Sequence, residues 1–115
     1  MTTPTYVPDA GDLVWTDFDP SRGREQRGRR PALVVSPAAF TTYTGLAIVC
    51  PITSRVRPFP SSVVLPKGLA VAGEILLSHV RSIDTLVRPV LYAGGRIAPT
   101  LAAEVRAKLG ALITI

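Results

Sequence analysis

A chain of 115 residues, 47% hydrophobic and 18% charged, is long enough for one core and too apolar for a linker or disordered tail. Its net charge of +5 points to a polyanionic partner, either nucleic acid or an acidic protein segment, and eleven of its thirteen basic residues are arginine, whose planar fork grips phosphate in bidentate fashion. No apolar run reaches the roughly 18 residues of a membrane span and the N-terminus carries no signal-peptide core, so a soluble, cytoplasmic protein is expected.

Residues 1–8 read as a loosely held arm in which Tyr6 and Val7 can pack. Residues 11–18 read as a strand, with Leu13 and Trp15 on one face and Val14 and Thr16 on the other. An arginine-rich loop follows. Residues 31–36 form a second strand, nearly all apolar and therefore central, and residues 37–43 allow one helical turn begun by Ser36 and Pro37. A third strand over 46–52 contains Cys50, the single cysteine, which can form no intramolecular disulfide and suits a small buried hydrophobe. Beyond a Pro/Arg-rich loop over 54–61, short strands are predicted at 62–65, 74–77 and 80–83, with another at 87–92 before Gly94 and Gly95. Pro99 opens a helix that keeps Leu101, Val105, Leu109 and Leu112 on one face. With no repeat and no dividing linker, residues 1–115 read as one mostly β α+β domain, a small barrel with a C-terminal amphipathic helix covering one side.

The loop between the first two strands concentrates the chemistry. Arg22, Arg24, Arg27, Arg29 and Arg30 fall within nine residues around one carboxylate, Glu25. A site that cleaves RNA needs a base for the 2′-hydroxyl proton, a cation for the charge of the phosphorane and a donor to a phosphate oxygen. Glu25 can be that base, kept ionised by its neighbours, or a salt-bridge partner of Arg24 or Arg29. Arg30, where the loop enters a strand, is the best held of the arginines. Thr53, past the end of the third strand, can offer a hydroxyl to the same phosphate, with Ser54 as a second donor. Neither metal nor cofactor is expected. His79 is the single histidine, for which a packed structural role is the plainer reading, and Asp19-Pro20 begins a turn more naturally than it completes a ligand pair with Asp17.

At these residues the chain resembles the MazF/PemK/Kid family of toxin endoribonucleases from bacterial toxin–antitoxin pairs. The matching elements are Gly11-Asp12, Trp15, Asp17, Asp19-Pro20, Gly23, Glu25-Gln26, Gly28 and Arg30-Pro31, then Pro51, Thr53 and Ser54, then Arg81-Ser82-Ile83 and the helix from Pro99. The resemblance runs from about residue 6 to residue 113 and implies an SH3-like barrel working as a homodimer. It implies metal-independent cleavage of single-stranded RNA at a short sequence, leaving a 2′,3′-cyclic phosphate and a 5′-hydroxyl. Arg30 and Thr53 would stabilise the phosphate and Glu25 would match an acidic position implicated in some members. Arg22, Arg24, Arg27, Arg29, Ser54, Arg55, His79 and Arg81 form the expected RNA-binding set. The partner would be an antitoxin whose acidic, disordered C-terminal segment folds over the same basic groove.

Two positions depart from the family pattern. Several relatives carry an Asp-Gln pair where this chain has Ser78-His79, and a histidine of the PemK/Kid branch is Arg24 here. These changes shift the acid/base burden towards Glu25, or make His79 a candidate proton donor. Two alternatives belong to other classes. One is a gyrase-poisoning toxin of the CcdB type, disfavoured because the chain ends Leu112-Ile113-Thr114-Ile115 with no aromatic; the other is a non-catalytic RNA-binding barrel.

Overall fold

The structure, a computed structural model, describes residues 6–18 and 29–115. Arg22, Arg24, Glu25 and Arg27 lie outside the described residues. The elements are β1 (Asp12–Asp17), β2 (Arg29–Val34), α1 (Ala38–Thr44), β3 (Leu46–Thr53), β4 (Ser62–Val64), β5 (Glu74–Leu76), a 3-10 turn (Leu77–His79), β6 (Arg81–Asp84), β7 (Val90–Arg96) and α2 (Pro99–Leu112). The strands pair antiparallel in the order β4-β5-β3-β2-β1-β7, and β6 pairs with β3. The expected architecture is therefore present: a small open barrel of mostly antiparallel sheet with a helix at the C-terminal end.

β3 is the joint of this sheet. Its first half pairs with β6, its last two residues pair with β5, and its middle pairs with β2 on the other edge. Residues of period two then divide between two apolar clusters. One holds Leu13, Leu33, Cys50, Ile52, Val63, Ile75 and Leu77, closed by Val105 of α2; the other holds Val14, Phe18, Ala32, Val34, Ala47, Val49 and Ile83. Leu13, Leu33, Ile52 and Ile75 are among the largest fully buried side chains, each contributing about 2 kcal/mol relative to an exposed position. Lys108 fastens α2 to the sheet, its ammonium donating to the Ser62 carbonyl at 2.9 Å while pairing with Glu104 at 3.2 Å.

Several local expectations change. The arm is fixed from Tyr6 onward: Pro8 is fully buried, and the Tyr6 hydroxyl donates to the Asp12 carboxylate, itself paired with Arg96 at 3.1 Å. Ser36 does not cap α1. Its hydroxyl accepts from the Ile48 N–H at 2.8 Å, while Asp9 accepts from the Ala38 N–H at 3.0 Å and supplies the cap from a distant segment. The last strand starts at Val90 and runs through the glycine pair to Arg96. Gly94 takes a φ of 100°, and the register jumps from Leu13↔Gly95 to Val14↔Tyr92, so Ala93 and Gly94 form a bulge that continues the strand. Leu112 is exposed at the end of α2, so the apolar stripe ends one turn earlier than its sequence spacing implies.

Candidate functional site

The site is built across the sheet. Thr16 of β1 faces Val90 on one side and Arg30 of β2 on the other. In the β2–β3 ladder Ala32 faces Pro51 and Leu33 faces Cys50; the same register carried two residues further sets Arg30 opposite Thr53. Thr53 faces Glu74 of β5, and Glu74 faces Val64 of β4. The rows Val90–Thr16–Arg30 and Thr53–Glu74–Val64 are then brought into line by that extended register. Residues set opposite one another by an antiparallel register share a face, so Arg30 and Thr53 lie on the same face of the sheet. The alternation agrees: Ala32 and Val34, which share the Arg30 face, and Ala47 and Val49, which share the Thr53 face, belong to the same apolar cluster.

Arg30 is half-buried within β2, whereas Arg29 beside it is exposed and lies opposite Asp17. The sheet therefore holds the Arg30 backbone through its pairing with Thr16 of β1. Thr53 is 8% exposed, and its hydroxyl oxygen accepts from the Arg55 N–H at 3.2 Å, closing the turn that leaves β3. That contact uses the oxygen and leaves the hydroxyl hydrogen for an incoming acceptor. Ser54 and Arg55 are exposed on the loop that follows. Arg81, at the start of β6, sits with its guanidinium 5.5 Å from the centroid of the Phe18 ring, a cation–π contact that ties β6 to the end of β1. Ser78 and His79 are exposed on the 3-10 turn, so His79 is not a packed structural histidine and is open to solvent beside the segment that leads to Arg81.

Two residues that the sequence reading passed over shape this row. Gly73 has a φ of 134°, and a Cβ there would stand 2.2 Å from the Thr53 carbonyl oxygen. Backbone presses on backbone at that point, so Gly73→Ala is expected to cost about 2 kcal/mol and lower the melting temperature by about 5–10 °C. A thermal melt checks this, and slower RNA cleavage should accompany it because Thr53 must move. The second residue is Glu74, whose side chain is 1% exposed. Its carboxylate accepts from the Arg57 N–H at 2.6 Å and from the Ser62 hydroxyl. The Ser62 hydroxyl first, and the Arg57 N–H after it, hold the Glu74 carboxyl below its ordinary value in spite of burial. A charged residue opening the apolar run of β5 was the available signal, but its partners lie 12 and 17 residues away and no local pattern reveals them.

The described residues contain no group of three His, Cys, Asp or Glu side chains that could hold a metal ion. Burial pushes the Cys50 thiol up to about 12, which removes it as a nucleophile at neutral pH. No helix among the described residues is long and apolar enough to cross a membrane.

Comparison with known proteins matches this geometry to one lineage. Residues 9–113 match the family of the PemK-like, MazF-like toxin of type II toxin-antitoxin system. The endoribonuclease toxin MazF of Escherichia coli K12 is 41% identical over 108 residues, covering 94% of this chain and 96% of its own. A crystal structure of MazF from Deinococcus radiodurans is 50% identical, with a TM-score of 0.84 over 93% of this chain and 96% of its own. A MazE–MazF structure from the same organism is 48% identical, with a TM-score of 0.83 and the same coverage. A family match over residues 9–113, together with a relative 41% identical across 94% of the chain, places the chain in the PemK-like, MazF-like toxin family of type II toxin–antitoxin systems.

Proposed function

We propose that this toxin is an endoribonuclease that cuts single-stranded RNA at a short sequence without a metal ion and works as a homodimer in the cytoplasm. The reading is supported by the β2–β3 register, which, carried two residues beyond Ala32↔Pro51, sets Arg30 opposite Thr53. The scissile phosphate sits between them. The ribose 2′-hydroxyl oxygen attacks phosphorus and gives up its proton to a base, for which Glu25 is the candidate from the adjoining loop. The bond to O5′ breaks, O5′ takes a proton, and the products are a 2′,3′-cyclic phosphate and a 5′-hydroxyl. Arg30 offers two parallel N–H donors to the non-bridging oxygens, whose charge grows in the phosphorane, and the Thr53 hydroxyl donates a third. His79, exposed ahead of Arg81, is the candidate donor to O5′ where Ser78-His79 stands in place of the Asp-Gln pair of several relatives.

Arg29, Arg55 and Arg81 extend the positive field on either side of the phosphate, joined by Arg22, Arg24 and Arg27, with Ser54 as a further donor. The solved MazE–MazF pairs support an antitoxin partner whose acidic segment occupies the same groove. The net charge of +5 suits either occupant, and one groove takes only one of them at a time.

The deciding experiment is cleavage of a long single-stranded RNA in excess EDTA, followed by mapping of the cut and one 2′-deoxy substitution at the scissile nucleotide. Cutting of the intact substrate and loss of cutting at the deoxy position are expected. Cleavage of the deoxy substrate at the same bond rules out attack by the 2′-hydroxyl. Removing one phosphate contact with Arg55→Ala is expected to weaken RNA binding and to make the slope of log K against log salt shallower by about 0.7. A binding titration at four salt concentrations reads that slope.

A further inference from the structure

The loop of residues 54–61 leaves β3 at Thr53 and carries Arg55, Arg57 and the 65%-exposed ring of Phe59. A segment this polar, with prolines at Pro58 and Pro60, has no ladder of its own to hold it. It is instead closed at three points. Near its start the Arg55 N–H donates to the Thr53 hydroxyl at 3.2 Å. In its middle the Arg57 N–H donates to the Glu74 carboxylate at 2.6 Å. At its end the Phe59 N–H donates to the Ser62 hydroxyl at 3.1 Å, and that hydroxyl in turn donates to Glu74. Two of the three closures converge on one buried carboxylate, and that carboxylate is the ladder partner of Thr53.

We propose that Glu74 is a positioning residue for RNA: its buried carboxylate fixes the 54–61 loop so that Arg55, Arg57 and Phe59 meet the substrate strand next to the phosphate held by Arg30 and Thr53. Because the backbone of Arg57 is the part that binds Glu74, its guanidinium is left to project outward, and Arg57 is exposed. The ligand chemistry is that of a single strand. Two guanidiniums take phosphates, and the open face of Phe59 takes an unstacked base between them. The carboxylate suits this task better than an amide, since only an ion with two acceptor oxygens satisfies both an N–H and an O–H donor without presenting a donor of its own. It also leaves the loop ordered before RNA arrives, so the ordering cost is not charged against binding.

This inference rests on the RNA-cleaving reading, and its test separates the two. Glu74→Gln keeps the shape and one acceptor while turning the other group into a donor. Steady-state cleavage of a single-stranded RNA should show KM raised about tenfold with kcat within about threefold of the parent, the pattern of lost uniform binding. In an Arg55→Ala/Arg57→Ala background the same substitution should change KM by less than about twofold, because the groups it positions are gone. Ser62→Ala, which removes one of the two donors, should raise KM about threefold and carries the test if Glu74→Gln fails to fold by circular dichroism. An unchanged KM in a folded variant overturns the proposal, and so does the full tenfold effect persisting in the double-arginine background. If the parent protein does not cut RNA, the cleavage reading falls. The same variants are then read by fluorescence anisotropy on the same RNA, where a Kd that does not move overturns the positioning role.

Discussion

Arg30→Ala is expected to lower the rate of RNA cleavage by about 10²–10³-fold, the usual loss when one donor to a developing oxyanion is removed. Circular dichroism and the melting temperature should stay close to those of the parent. Arg30 is half-buried and stands at the end of β2, while the apolar residues that hold that strand are Ala32, Leu33 and Val34 further in. Truncation therefore removes a charge from the mouth of the sheet and opens no cavity in either cluster. Arg30→Lys sharpens the test. Lysine keeps the charge but offers a point donor in place of a planar fork, so binding should recover more than turnover does. Near-parental cleavage by Arg30→Ala, in a folded protein, overturns the assignment.

Thr53→Val should lower kcat by about 100-fold with a small change in KM, since it deletes a donor that matters most once charge builds on the phosphate. Valine replaces the hydroxyl by a methyl of like size at a position only 8% exposed, so packing is kept. One structural cost accompanies it, because the Arg55 N–H loses its acceptor at the start of the 54–61 loop. That loss is worth about 1 kcal/mol, far short of the catalytic effect. If Arg30 and Thr53 serve the same phosphate, the double variant will fall well short of the product of the two single losses. Single-turnover cleavage at saturating enzyme measures all three. Fully multiplicative losses would mean that the two side chains act on different groups.

The strands and the two faces of the sheet were legible because their signal is local. Leu13 and Trp15 against Val14 and Thr16, and the β-branched run into Val34, state a period of two that the two apolar clusters then obey. The same holds for Cys50, whose apolar neighbours announce a buried position. What local pattern does not carry is partnership across the chain. The cap of α1 comes from Asp9, 29 residues before Ala38, so Ser36 looked like the obvious starter and was already engaged with Ile48. Gly94-Gly95 read as a stop because glycine usually breaks a strand, yet a bulge used that freedom to carry β7 on to Arg96. Arg30 and Thr53 were each visible as residue types at strand ends, and the family resemblance linked them. Their alignment follows from carrying the β2–β3 register two residues beyond Ala32↔Pro51, which no local pattern states. Glu74 and Gly73 were invisible for the same reason: one is defined by donors on another loop, the other by a carbonyl on another strand.

The row that makes the site draws on Thr16, Arg30, Thr53, Val64, Glu74 and Val90, and so on most of the length of the chain. No fragment shorter than residues 16–90 contains it. A chain emerging from the ribosome holds Arg30 and Thr53 long before it holds the strand that carries Glu74, and the glycine that shapes the turn beside Thr53 arrives just ahead of that strand. Pairings so distant in sequence close slowly, on a scale of about milliseconds to seconds for sheet-dominated domains. On the proposed reading, a growing polypeptide that has not yet reached β5 is expected to leave RNA uncut. Competence is then expected only once the later strands have joined the sheet, an interval in which an antitoxin such as the relatives' MazE would meet a toxin that has not yet cut RNA.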